Sequence, residues 1–105
     1  MKFSDLLPVG SVVLLKNAQK KIVVIGLMPV KHTESGQDVT YDYIGVPYPE
    51  GYIGQESAML FNHESIEEMT FIGYSDNERA IMIEAIQKLV DKTAETINNR
   101  NDSFQ

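Results

Sequence analysis

The 105-residue sequence contains no cysteine. The fold therefore has no disulfide, zinc-thiolate site or thiol chemistry, which suits a reducing cytoplasm. The sequence also lacks an apolar run near the roughly 20 residues that a membrane-spanning helix requires. The first ten residues, MKFSDLLPVG, carry one lysine and a short apolar run that Pro8 interrupts, so they do not resemble a signal peptide. We therefore expect a cytoplasmic protein that does not insert into a membrane.

Known catalytic and cofactor-binding signatures are missing too. His32 and His63, the two histidines, form no HExxH motif and no paired ligand spacing. Ser11 follows a glycine but lacks the GxSxG pattern of a hydrolase nucleophile, and a role in capping a strand explains it more simply. The glycines form no phosphate-binding spacing. We expect no catalytic residues, cofactor or metal, and a small hydrolase or metal-dependent enzyme is the weakest alternative.

The net charge of −6 is unevenly distributed. Residues 1–31 carry five lysines and one aspartate, a balance of +4, whereas residues 32–105 carry four basic and fourteen acidic groups, a balance of −10. A negatively charged body repels phosphate backbones, so we expect no nucleic-acid partner. The acidic excess serves either solubility or the selection of a basic partner.

Short apolar runs predict an antiparallel sheet over about residues 9–74. Val12–Leu15 and Lys21–Leu27 are strands, and the polar residues between them predict a β-hairpin. Gly26 indicates a bulge or a sharp bend in the second strand. Residues 39–46 and 69–74 are further predicted strands. Residues 57–62 fit a strand or a helical turn, with three side chains predicted to be buried: Met59, Leu60 and Phe61.

The apolar period changes after residue 74. Apolar residues at spacings of three and four predict a helix over about residues 76–98. Its apolar stripe consists of Ile83, Ile86, Leu89 or Val90, Ala94 and Ile97. Ser75 and Glu78 fit a capping box, and residues 99–105 are predicted to fray. The chain is thus predicted to be one α+β domain spanning residues 1–105. In this prediction, a small, strongly bent antiparallel sheet packs against one long C-terminal helix. The sheet is either open or forms a partly open SH3-like barrel.

Residues 41–54, YDYIGVPYPEGYIG, hold four of the five tyrosines. Tyr41 and Tyr43 share one strand face. The sequence is equally consistent with a core role and an interface role for these two side chains. Prolines end the strand, and the sequence Pro-Glu-Gly predicts a turn. Tyrosine combines a large apolar area with a polar tip, as residues at protein interfaces often do. We therefore predict a partner-binding patch at this turn, formed by Pro47, Tyr48, Pro49, Glu50 and Tyr52.

The helix supplies a second candidate surface. The apolar residues 80–83 widen the stripe beyond one face, so Ile81 or Met82 is expected to stay exposed for a partner helix. An exposed sheet edge would also allow a homodimer.

Five segments occur in a distinctive order: LLPVGSVVLLK, KKIVVIG, YDYIGVPYPEG, LFNHESIEE and FIGYSD. Through them, from about residue 5 to residue 76 and into the helix, the sequence resembles the domain-of-unknown-function family four-one-seven-six of low-GC Gram-positive bacteria. Members commonly sit beside genes for type VII secretion and LXG-type toxins. The resemblance implies an adaptor or chaperone that binds an LXG-type toxin or its small helical companions. The alternative is an immunity protein whose acidic surface blocks a cationic toxin site.

Overall fold

A computed structural model describes residues 2–103, with side chains for residues 2–93. Short 3-10 turns span Phe3–Asp5, Gln55–Ser57 and His63–Ser65. The regular elements are β1 (Val12–Leu15), β2 (Lys21–Leu27), β3 (Val30–His32), β4 (Asp38–Thr40), β5 (Tyr43–Pro47), β6 (Met59–Phe61), β7 (Ile66–Phe71) and α1 (Asn77–Ser103). They fall into two compact units: residues 6–74, with all of these strands, and residues 2–5 together with residues 75–103.

The strand unit is built on a five-stranded antiparallel sheet with the order β6-β5-β2-β1-β7. The predicted β1–β2 hairpin is confirmed by the pairing of Val12 with Val23. The register of β2 on β5 shifts between Val24 and Gly26, which confirms the irregularity predicted at this glycine. Strands β3 and β4 form a separate hairpin. The fold is therefore α+β, with an open antiparallel sheet and one long C-terminal helix.

The connection between β6 and β7 shows why this sheet has to bend. The two strands are neighbours in sequence but occupy opposite edges, which would lie about 19 Å apart in a flat five-stranded sheet. Residues 62–65 join them, and three of these residues form a 3-10 turn that rises only about 2 Å per residue. The sheet must curl for so short a link to reach. As the link passes β1, the Lys16 N–H donates to the Ser65 carbonyl at 2.9 Å.

The interior of the strand unit is small and mainly aliphatic. Tyr43 and Phe61 stack in it, with ring centroids 5.2 Å apart. Ser11 is fully buried, and its Oγ accepts the N–H of Gly73 at 2.9 Å, so its role is structural. The remaining buried hydrophobic side chains of this unit are Leu6, Leu7, Val13, Ile22, Val24 and Val46.

Several predicted strand limits are wrong. The last strand is Ile66–Phe71, three residues earlier than predicted, because its glutamates face solvent and hide the pattern. The predicted strand at residues 39–46 is interrupted after Thr40, so that its first two residues belong to a separate strand, β4. β3 was not predicted, since all its residues are exposed. Residues 57–62 contain a strand, but Met59 is exposed; only Phe61 of the predicted trio is fully buried.

The helix also differs from its prediction. Its N-cap is Asp76 rather than Ser75, because Oδ1 of Asp76 accepts the N–H of Arg79 at 3.1 Å. The helix continues to Ser103, beyond its predicted end at about residue 98, since no glycine or proline interrupts its backbone hydrogen bonds. The fraying of residues 99–105 stays a prediction, and residues 104–105 lie outside the described range.

Only part of the predicted apolar stripe is covered. Ile83 is buried and Ile86 is half-buried, whereas Leu89 and Val90 are exposed. The side chains of Ala94 and Ile97 lie outside the described residues.

The single-domain organisation stays a prediction.

Gly45 lies where β5 passes too close to its neighbours for a side chain. A Cβ there would lie 2.9 Å from the Val23 carbonyl oxygen and would collide with Cγ2 of Ile22. We expect Gly45→Ala to lower the free energy of unfolding by about 1–3 kcal/mol, because a packed core resists added volume. Urea denaturation followed by circular dichroism measures the loss. Thr70→Ala, at an exposed strand position, is the control and should stay within about 0.5 kcal/mol of wild type; equal midpoints for both variants would contradict the prediction.

Candidate protein-binding site

The chain leaves β5 through a tight turn, as its prolines predict. β5 ends at Pro47, and the N–H of Gly51 donates to the Pro47 carbonyl at 2.7 Å. Gly51 has a φ of 78°, which favours glycine, and the Tyr48–Pro49 peptide bond is cis. The turn is attached to the sheet because the N–H of Tyr48 donates to the Lys21 carbonyl at 2.9 Å.

Most of the predicted site residues of this segment are exposed. Tyr48 is 47% exposed and Tyr52 is 60% exposed. Pro49 and Glu50 are exposed beside them, whereas Pro47 is half-buried. Sequence reasoning missed Ile53, which at 66% has the largest exposed fraction of the large apolar side chains here. An isoleucine within a Tyr-Ile-Gly triplet carries no sequence signal that its side chain is exposed. We call residues 47–53 the tyrosine turn.

Charged groups of the β1–β2 hairpin border the tyrosine turn. Nζ of Lys20 lies 2.6 Å from Oε1 of Glu50, with both side chains about half exposed. Nζ of Lys21 lies 5.9 Å from the centroid of the Tyr48 ring, a cation–π arrangement. The hydrogen bond from Lys20, with a smaller contribution from a backbone hydrogen bond, lowers the pKa of Glu50. The surface thus has an aromatic and aliphatic centre with a charged rim, which suits contact with another protein.

The other two tyrosines of the segment have different roles. Tyr43 is completely buried, and its Oη accepts the N–H of Leu7 at 2.9 Å. The same oxygen is hydrogen-bonded to Nδ1 of His63 at 2.6 Å, and the His63 N–H donates to Oδ2 of Asp42 at 2.8 Å. Tyr43 is therefore a core residue, whereas Tyr41 is half-buried outside β5.

The family model described as "Domain of unknown function (DUF4176)" matches residues 6–82. The chain belongs to this family. The DUF4176 match spans the strand unit, the tyrosine turn and the first turn of α1, and it confirms the family resemblance found in the sequence. Neither a curated protein nor a solved structure matches the chain.

The histidines of this DUF4176 domain have local partners. Nδ1 of His32 lies 2.8 Å from Oδ1 of Asp38, directly across the β3–β4 hairpin. Among residues whose side chains are described, no three or more His, Cys, Asp or Glu side chains are grouped to hold a metal ion. In the described part of the chain, no helix combines the length and apolar character of a membrane span.

The helical candidates belong to the other compact unit. Ile81 and Met82 are both exposed on the first turns of α1, as expected. Within that unit, the N–H of Phe3 donates to Oε1 of Gln87 at 3.3 Å, which holds the first 3-10 turn against the helix. A groove of about 650 Å³ follows this contact, with lysines and acidic residues mixed along it.

Tyr43→Phe tests the buried hydrogen bonds. The substitution keeps the ring but leaves the buried N–H of Leu7 without its acceptor, so we expect a loss of about 1–3 kcal/mol in the free energy of unfolding. Guanidinium denaturation measures it. Tyr52→Phe removes the same hydroxyl from an exposed ring and should change stability by less than about 0.5 kcal/mol. A Tyr43→Phe variant as stable as Tyr52→Phe would show that the Tyr43 hydroxyl contributes little.

The Lys20–Glu50 contact gives a pH-dependent prediction. A carboxyl group whose pKa is lowered by folding stabilises the fold above its unfolded pKa, and that contribution disappears as the pH falls through the lower folded pKa. In Lys20→Ala, the pKa of Glu50 should rise towards its ordinary value, because the main cause of the shift is removed. An NMR titration of the Glu50 carboxyl carbon measures this, with Lys16→Ala as a control of equal charge change. A Glu50 titration curve identical in Lys20→Ala and wild type would rule out the contact.

Proposed function

We propose that this protein is a non-enzymatic binding protein that acts in the cytoplasm as an adaptor or chaperone for type VII secretion effectors of the LXG class. The observation that carries the proposal is the tyrosine turn, which exposes Tyr48, Tyr52 and Ile53 within six residues. Tyrosine is enriched at protein interfaces, and an apolar centre with a charged rim is typical of them. The effector class comes from the genetic setting that the family resemblance implies.

The tyrosine turn is held at both ends, which favours binding. Tyr48 is bonded to β2 through its N–H, and the N–H of Ile53 donates to Oγ of Ser57 at 3.1 Å. Ser57 in turn donates to the Gly54 carbonyl at 2.6 Å. Side chains displayed on such a fixed segment lose little conformational entropy when a partner binds.

The helical N-terminal region of an LXG-type toxin, or one of its small helical companions, is the proposed partner. Helices present apolar stripes that aromatic side chains can cover. Ile81 and Met82 on α1 are proposed as a second contact for such a partner, because both apolar side chains are exposed.

Co-purification tests the proposal. The tagged protein is co-expressed with the helical N-terminal region of an LXG-type toxin, and wild type should retain it. Tyr48→Ala/Tyr52→Ala should weaken the complex at least tenfold, because buried aromatic anchors each contribute more than about 1 kcal/mol. Phe71→Ala/Tyr74→Ala is the matched control, since it also removes two exposed aromatic rings from the strand unit, and it should bind normally.

Other results have distinct meanings. Binding to the toxin's catalytic domain but not to its N-terminal region would support the immunity function instead. Binding to neither region would refute both functions. Retention of the toxin by both double variants alike would support the adaptor function but remove the tyrosine turn from the interface.

A further inference from the structure

The sheet has two open edges, and they differ in chemistry. Among the described residues, β6 pairs only with β5 and β7 pairs only with β1. An open edge presents backbone N–H and C=O groups that can pair with another strand, and charged side chains normally discourage such pairing. β7 carries Glu67 and Glu68, both exposed, whereas β6 consists of Met59, Leu60 and Phe61 and has no charge. The outer edge of β6 is therefore the one open to strand addition.

Two clefts border β6. The first, of about 1020 Å³, lies at the start of β6, between this strand and the β3–β4 hairpin. The second, of about 440 Å³, lies at the end of β6, beside Leu15 and Asn62. Tyr41, Met59 and Leu60 line both clefts, so the two form one groove along the strand. Room for side chains beside an open strand is what recognition by strand addition requires.

A lysine lies at each end of the groove. Lys31 lines the first cleft and Lys16 lines the second. Within the described part of the chain neither lysine has an ion-pair partner, although the protein's net charge is −6. Glu64 also lines the second cleft and offsets part of the charge of Lys16 there. The groove therefore favours acidic groups at its ends, and more strongly at the Lys31 end.

We propose that the outer edge of β6 binds an extended, acidic peptide segment of a partner protein, which adds to the sheet as a further strand. Its central residues are apolar and contact Met59 and Leu60, and its acidic residues lie beside Lys31 and Lys16. This surface is distinct from the tyrosine turn. It adds a further contact to the proposed binding function and is tested separately.

The probe is a phage-displayed library of random seven-residue peptides, selected on the full chain. We expect enrichment of peptides with acidic residues at the ends and β-branched or other apolar residues in the middle. The consensus peptide is then synthesised, labelled with a fluorophore and titrated by fluorescence anisotropy. Failure to enrich any consensus, or a consensus that is basic or rich in proline, would overturn the proposal.

Methylation of the peptide backbone tests strand addition without altering the protein. In an added edge strand only alternate N–H groups face the sheet. Two versions of the peptide are therefore made, each methylated at one alternate set of nitrogens. One version should lose binding by about tenfold or more, and the other should bind like the parent. Equal effects of both versions would exclude pairing with β6.

Charge reversal tests the ends of the groove. Lys16→Glu/Lys31→Glu should weaken the peptide about tenfold, with Lys31→Glu the stronger single change because Glu64 already offsets Lys16. Lys20→Glu/Lys21→Glu changes the net charge equally at the tyrosine turn and should leave peptide affinity unchanged. Equal weakening by both double variants would mean that the groove does not select the peptide.

The Tyr48→Ala/Tyr52→Ala variant separates this inference from the proposed function. It should bind the peptide like wild type even if it loses the toxin. Loss of the peptide in this variant would place the peptide at the tyrosine turn and overturn the β6 site.

Discussion

The hydroxyl of Tyr43 is the point on which the strand unit depends, because it joins segments that are far apart in sequence. It accepts the N–H of Leu7 from the N-terminal segment and is hydrogen-bonded to His63 in the link between β6 and β7. Asp42 holds the same link through the His63 N–H. Since this short link forces the sheet to curl, its attachment to β5 fixes the curvature and the positions of both edges.

β5 therefore supports both the interior and the candidate surface. Tyr43 at its start is anchored in the core, Gly45 allows β2 and Phe61 to approach, and Pro47 at its end starts the tyrosine turn. Because the strand is fixed along its length, the turn that follows it is presented in a defined orientation. The exposed rings of Tyr48 and Tyr52 are thus supported by the same strand that holds the core together.

Sequence patterns predicted the strands and the turn whose structure depends on residues close together in the chain. Apolar runs located β1 and β2, and the Pro-Glu-Gly sequence located the turn with its exposed tyrosines. The β3–β4 hairpin left no apolar alternation, because all its strand residues are exposed. Tyr41 and Tyr43 could not be told apart, since the difference lies in the contact of Tyr43 with Leu7, 36 residues away. The groove along β6 combines side chains from four separate segments, so no single stretch of sequence indicates it.

The structure shows which charged residues of the unevenly charged sequence lie beside the candidate surfaces. An acidic protein was expected to select a basic partner if its charge served recognition, yet both candidate surfaces lie beside lysines of the N-terminal third. Lys20 and Lys21 border the tyrosine turn, and Lys16 and Lys31 line the groove along β6. The glutamates of β7 occupy the opposite edge of the sheet. A partner that used these two surfaces would lie beside Lys16, Lys21 and Lys31, so the net charge of −6 does not describe the charge that these surfaces present.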